Sequence, residues 1–223
     1  MGTHQEKSIA RWGSLAGISG SLLFLAIFVM VAVLAGPDPA GPGGPISRFP
    51  EIRAARTVEN ALCLAVVVLW VPLSLALLYR LRRTHPAAAL FGTSLNLLGL
   101  AVFAAEALPH VATVGLSNRF HAASATAPEK EALVMQWQAA QGIFDAMLIS
   151  GLFLMAAGIT IVGVAMFSFG RLAGSLSLAL GLTSLTTVIV TIIDPDSLAI
   201  VLGVFAIIGF HLLAGMNLHR DSS

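Results

Sequence analysis

Six long stretches without Asp, Glu, Lys or Arg divide the chain: Trp12 to Pro37 (26 residues), Asn60 to Tyr79 (20), Thr84 to Ala105 (22), Ala146 to Gly170 (25), Leu172 to Ile193 (22) and Ser197 to His219 (23). Within them Leu, Ala and Val follow one another without the alternation of polarity that marks a barrel strand. A helix rises about 1.5 Å per residue and the hydrocarbon core of a bilayer is about 30 Å thick, so each stretch is long enough to cross it. Hydrocarbon offers a backbone no hydrogen-bond partner, and a continuous apolar run satisfies itself there only as helix. The pattern predicts an all-α fold, a polytopic transmembrane bundle of six helices forming one domain over 1–223. Its spans are expected at about 14–35, 58–79, 86–108, 143–168, 172–193 and 197–217.

The first run follows Lys7 and Arg11, as the core of a signal peptide would. It is longer than such a core, Ala32-Val33-Leu34-Ala35 offers no small-x-small cleavage site, and five more spans follow, so it reads as a retained first helix.

Polar segments between the runs give the organisation. The first connection, Gly36-Pro37-Asp38-Pro39-Ala40-Gly41-Pro42-Gly43-Gly44-Pro45, reads as an irregular or extended surface loop. The second, from about Pro109 to Gln136, is predicted to hold a short amphipathic helix starting near Pro128. There Thr126 is a good N-cap, Pro128 suits the first turn and Glu129 completes a Thr-x-x-Glu capping box. That helix would lead into the fourth span, with Trp137 at the water interface and Gly142 allowing a bend. Asp194-Pro195-Asp196 joins the last two spans tightly, and an Asp there suits a helix N-cap. Gly13-x-x-x-Gly17 and Gly170-x-x-x-Gly174 could let helices approach closely, within the bundle or in an oligomer.

Charge supplies an orientation. One side of the predicted bundle holds Lys7, Arg11, Arg80, Arg82, Arg83, Arg171 and Arg220 against Glu6 and Asp221, a net of +5, while the other carries −4. By the positive-inside rule the first side, with both termini, is cytoplasmic, and the Arg80, Arg82, Arg83 turn is its strongest marker. Composition agrees with the class: 57% of residues are hydrophobic, 10% are charged, and mean hydropathy is +0.90. The 23 charged side chains are too few to cover a water-soluble protein of this length. Cys63 is the single cysteine, which removes an intramolecular disulfide or a thiolate cluster; it reads as a small apolar residue of the second span.

Ionisable groups inside spans are costly, so their placement is informative. Arg56, Glu59, Asn60 and Cys63 open the second span, Glu106 and His110 close the third, and Gln138, Gln141 and Asp145 open the fourth. Spacings of three and four put each set on one helix face, at matching depth near the outer boundary. If these faces converge they form a candidate ligand pocket lined by Arg56, Glu59, Asn60, Glu106, His110, Gln138, Gln141 and Asp145, over which His121 could fold. Glu106, His110, His121 and Asp145 are weak candidates for a metal ion, without an HExxH or a second His in a span. The structural alternative is a hydrogen-bonded network that pins helix ends.

Other polar residues point to packing. Thr183, Thr187 and Thr191 line one face of the fifth span and should bond their own helix. Asn96 should bond between helices, and His211 has no second histidine at its depth in a span. The chain carries no haem, nucleotide or iron–sulfur signature, so any cofactor is unknown, and its polar segments are too short for a nucleic-acid-binding domain.

The segments Arg11-Trp12-Gly13-Ser14-Leu15-Ala16-Gly17, Arg53-Ala54-Ala55-Arg56-Thr57-Val58-Glu59-Asn60 and Trp137-Gln138-Ala139-Ala140-Gln141-Gly142-Ile143-Phe144-Asp145 resemble an uncharacterised bacterial family of six-span membrane proteins, domain-of-unknown-function family 4386. The resemblance implies a multi-pass protein of the bacterial cytoplasmic (inner) membrane and supplies no activity, substrate or catalytic residue. Three functions are compatible with these residues. The first is a binding or accessory protein with an extracytoplasmic polar pocket for a small ligand or lipid headgroup. The others are a membrane-embedded enzyme using that pocket, metal-assisted in one version, and a small proton-coupled transporter using Glu59, Glu106 or Asp145.

Overall fold

The computed structural model describes residues 3–34, 36, 39–195 and 197–222. Among them the regular structure is helical: α1 (Thr3–Leu34), α2 (Gly44–Leu81), α3 (Pro86–Ala105), α4 (Ala107–Phe120), α5 (Ala127–Ala165), α6 (Arg171–Ile193) and α7 (Ala199–Ser222), with a 3₁₀ turn at Met166–Phe169. Six helical segments are long and apolar enough to cross a membrane, α3 and α4 counting as one. Their outward-facing side chains are apolar: Val29, Val68, Phe91, Leu98, Leu182 and Leu202 are all exposed. The interior holds Ser14, Ser21, Ser74, Asn96, Ser184 and His211. An apolar girdle around a partly polar interior fits a lipid-embedded bundle and would be an aggregation hazard in water. The chain is a multi-pass helical membrane protein.

The spans form a closed ring in the order α1, α2, α3, α5, α6, α7, with α7 returning to α1. Glycine lets neighbours in this ring approach closely. Gly17 and Gly20 of α1 face Leu73 and Trp70 of α2, while Gly92 and Gly99 of α3 face Gly158 and Gly151 of α5. The Gly13-x-x-x-Gly17 face is therefore used inside the bundle. Gly170 is not a packing residue: at φ +126° it turns the chain into α6, and only Gly174 is in close contact, with Phe167.

At one end of the ring Arg83 pairs with Glu6 and Arg80 with Asp221, so the start of α1, the α2–α3 turn and the end of α7 lie together. The opposite end differs from the sequence expectation. Helix α2 has 38 residues and α5 has 39, about 57 Å each and roughly twice the hydrocarbon thickness. Their extensions and α4 form a small cap whose core is Ile46, Phe49, Ile52, Leu133 and Trp137. The first loop accordingly ends at Gly43, because Pro45 in the first turn of α2 needs no hydrogen-bonding N–H; its Pro37 and Asp38 lie outside the described residues.

The short helix expected near Pro128 is the beginning of α5. Thr126 and Glu129 make the capping box, with Thr126 N–H donating to Glu129 Oε2 at 2.8 Å, and the helix continues through Gly142 to Ala165. Trp137 is 3% exposed, its ring edge-on to Phe49 at 5.1 Å, so it fills the cap core instead of lying at a lipid interface. The region after Glu106, expected as loop, is α4. Pro109 lacks the N–H that would bond the Ala105 carbonyl, and the helix breaks at Glu106 between α3 and α4. In the last connection Ser197 Oγ accepts from Ala199 N–H at 3.2 Å. Asp194 ends α6 instead of capping α7, and Asp196 lies outside the described residues.

Candidate functional site

Three helices bring polar side chains together beneath the cap. On α2 the face Arg56, Glu59, Asn60 turns toward α4 and α5, and Arg56 Nη1 donates to Glu59 Oε2 at 2.8 Å. From α4, His110 Nδ1–H donates to Asn60 Oδ1 at 2.9 Å, which leaves Nε2 of the neutral ring as an acceptor. The His110 ring lies against Phe144 of α5, centroids 4.4 Å apart. Thr113 Oγ donates to the His110 carbonyl at 2.6 Å and fixes that turn of α4. The break at Glu106 matters here, because it redirects α4 so that His110 and Thr113 face α2 and α5.

Arg56, His110, Thr113, Gln141, Asp145 and Trp137 line a cavity of about 130 Å³, floored by Phe144. An adjoining groove of about 370 Å³ shares Arg56, His110 and Phe49, and adds Asn60, Thr57 and Asn118. Gln141 borders the polar cavity, and its Oε1 is buried without a hydrogen-bond partner among the described residues. A buried amide oxygen in that state costs about 1–3 kcal/mol, which a donor arriving in the cavity would recover.

The convergence read from helix faces thus extends to Arg56, Asn60, His110, Gln141 and Asp145, but the full set is not one pocket. Gln138 is exposed and lines none of these cavities. Glu59 and Glu106 border a separate cavity of about 230 Å³ on the far side of Phe144, with Cys63, Phe24 and Phe103. Periodicity assigns residues to a face; it does not reveal that an aromatic side chain of a neighbouring helix divides that face in two. His121 does not fold over the pocket either. Its ring nitrogens lie 2.9 Å from the Ser117 carbonyl oxygen and 3.1 Å from that of Ser47, so it ties the end of α4 to the start of α2. Among the described residues no group of three or more His, Cys, Asp or Glu side chains is placed to hold a metal ion: His110 and Asp145 share the polar cavity, whereas Glu106 borders the separate one and His121 ties α4 to α2.

A second polar cluster lies in the bundle interior. Asn96 Nδ2 donates to Ser74 Oγ at 2.9 Å and approaches His211 Nε2 at 3.5 Å, while His211 Nδ1–H donates to the Ile207 carbonyl at 2.8 Å. Ser74 in turn donates to the Trp70 carbonyl at 2.8 Å. These contacts fit a His211 ring that donates from Nδ1 and accepts at Nε2, while Asn96 Oδ1 and Trp70 Nε1 are buried without a partner among the described residues. Trp70 and Ser74, which have no motif around them, are the members of this cluster that periodicity did not single out. Thr187 and Thr191 of α6 bond the carbonyls of Thr183 and Thr187, as expected of hydroxyls inside a span.

The fold and site define a multi-pass helical membrane protein with a capped polar cavity at one end. No protein-family model, curated protein or solved structure matches the chain.

Proposed function

We propose that the protein is a binding or accessory protein of a bacterial cytoplasmic membrane, whose polar pocket opens on the extracytoplasmic side and holds a small polar ligand or a lipid headgroup. The observation that carries this reading is the buried, unpartnered Gln141 Oε1 in a cavity whose other polar walls, Arg56, His110 and Asp145, come from two further turns of α2 and α4 and from α5 itself. Arg56 offers an anionic group the guanidinium donors that Glu59 does not take and Asp145 a carboxylate for a cationic one, so the pocket suits a zwitterionic or hydroxylated molecule. Charge supports this sidedness: the end with Arg80, Arg82, Arg83 and both termini is the basic one, which by the positive-inside rule favours the cap on the outside. The resemblance to the six-span bacterial family supports the same location.

Transport is disfavoured by packing, because the described interior of the bundle is an apolar core that includes the buried Val66, Leu100, Leu152 and Ile159. A metal-assisted enzyme would need a ligand cluster that the described side chains do not form. The reading is tested by native mass spectrometry of the full chain released from nanodiscs. A bound small molecule or lipid should accompany the wild type and be lost from His110→Ala and Gln141→Ala. Equal retention by both variants, or a wild type that carries nothing and shows no melting shift across a metabolite and phospholipid panel, contradicts it.

A further inference from the structure

The cavity behind Phe144 has a different chemistry from the polar pocket. Its walls are apolar, drawn from α1, α2, α3, α5 and α7, and four of them are rings: Phe24, Phe28, Phe103 and Phe144. Phe24 touches both Phe28 and Phe103, centroids 5.6 and 5.8 Å apart, so these three rings form a connected aromatic wall. Against this wall stand two carboxylates. Glu59 already has a cation, Arg56 at 2.8 Å. Glu106 does not: it is 7% exposed, borders the cavity, and its Oε2 is buried with no hydrogen-bond partner. Among the described residues Glu106 therefore stands at the edge of an apolar, aromatic chamber with neither a cation nor a hydrogen-bond donor beside its buried oxygen.

A buried carboxyl without a partner either keeps its proton or acquires a cation, and a cation with an apolar body is the kind that fits this chamber. Aromatic faces attract organic cations through the ring quadrupole, and ammonium groups bearing hydrocarbon are the ligands that use both terms at once. We infer that this second cavity binds a small lipophilic ammonium ion, its charge against Glu106 and its hydrocarbon among Phe24, Phe28, Phe103 and Phe144. At about 230 Å³ the chamber admits one aryl or short alkyl ammonium. Val201, 41% exposed, borders it, so the ligand enters laterally between helices and not through the polar pocket.

The experiment titrates the full chain in nanodiscs with phenyltrimethylammonium and, in parallel, with tert-butylbenzene, which has the same shape and no charge. The wild type should bind the cation at least about tenfold more tightly than the neutral compound, and Glu106→Gln should erase that preference, because the amide keeps the shape and loses the charge. A second measurement needs no variant: Cys63 borders the same cavity, and saturating phenyltrimethylammonium should slow its modification by methyl methanethiosulfonate severalfold. Undiminished cation preference in Glu106→Gln, equal binding of the two compounds, no binding to the wild type, or an unchanged Cys63 rate would each overturn the inference.

Discussion

The His211 imidazole lies flat on the Trp70 indole, ring centroids 3.8 Å and planes 9° apart, with both side chains fully buried. This stack joins α7 to α2, and Asn96 of α3 closes the arrangement from the third side. Removing the ring leaves a void and strips Asn96 of an acceptor. His211→Ala should cost about 3 kcal/mol, by analogy with deleting a buried ring, whereas His211→Phe keeps the stack and should cost about 1 kcal/mol. Reversible unfolding in mixed micelles reads both; equal losses would show that the stack contributes nothing.

The α3–α5 seam gives a second prediction. A Cβ on Gly158 would sit 2.5 Å from the Asn96 backbone nitrogen and 2.6 Å from the Gly92 carbonyl oxygen, and neither can step aside unless the helices separate. Gly158→Ala should therefore destabilise by about 1–3 kcal/mol. Gly142, in the same helix with nothing within 4 Å, should behave oppositely, Gly142→Ala gaining up to about 1 kcal/mol. The pair is compared by melting temperature in one detergent, and two changes of the same sign would contradict the packing described.

Pro109 should control the direction of α4. Pro109→Ala restores the donor that could bond the Ala105 carbonyl, so α3 should run on into α4, with slower amide exchange at 107, 108 and 110. His110 would then turn away from Asn60, and any ligand retained by the polar pocket should be lost. Unchanged exchange at these amides would remove proline as the cause of the break.

The capping box anchors the start of α5. Thr126→Ala removes the acceptor for Glu129 N–H, and amides of the first turn should exchange about fivefold faster, the range expected for a lost N-cap. Exchange deeper in α5, beyond Trp137, should not change.

How much of this was legible in the sequence depends on what each pattern measures. The six spans were legible because an uncharged run of 20 or more residues has few other stable homes. Hydropathy reports exposure to lipid and says nothing of helicity beyond it, so the cap was hidden where α4 and the start of α2 lie in segments without a span pattern, and only the start of α5 was read as helix. Thr126 and Glu129 were readable as a helix start because the signal is local. Trp137 was misplaced because its neighbours, Phe49 and Ile52, come from a helix more than 80 residues earlier. For the site, spacing put Arg56 with Glu59 and Glu106 with His110 on shared faces. The side chain that divides them, Phe144, looked like one more apolar residue of a span.

An outward-facing polar cavity should be reachable from outside the cell, and the arginine turn should not. Gln141→Cys or Arg83→Cys is introduced into the Cys63→Ala chain, intact cells are exposed to membrane-impermeant sulfonatoethyl methanethiosulfonate, and the added mass is read. Position 141 should be labelled in intact cells, and position 83 only after the membrane is permeabilised. Labelling at position 83 in intact cells with none at position 141 would reverse the proposed orientation.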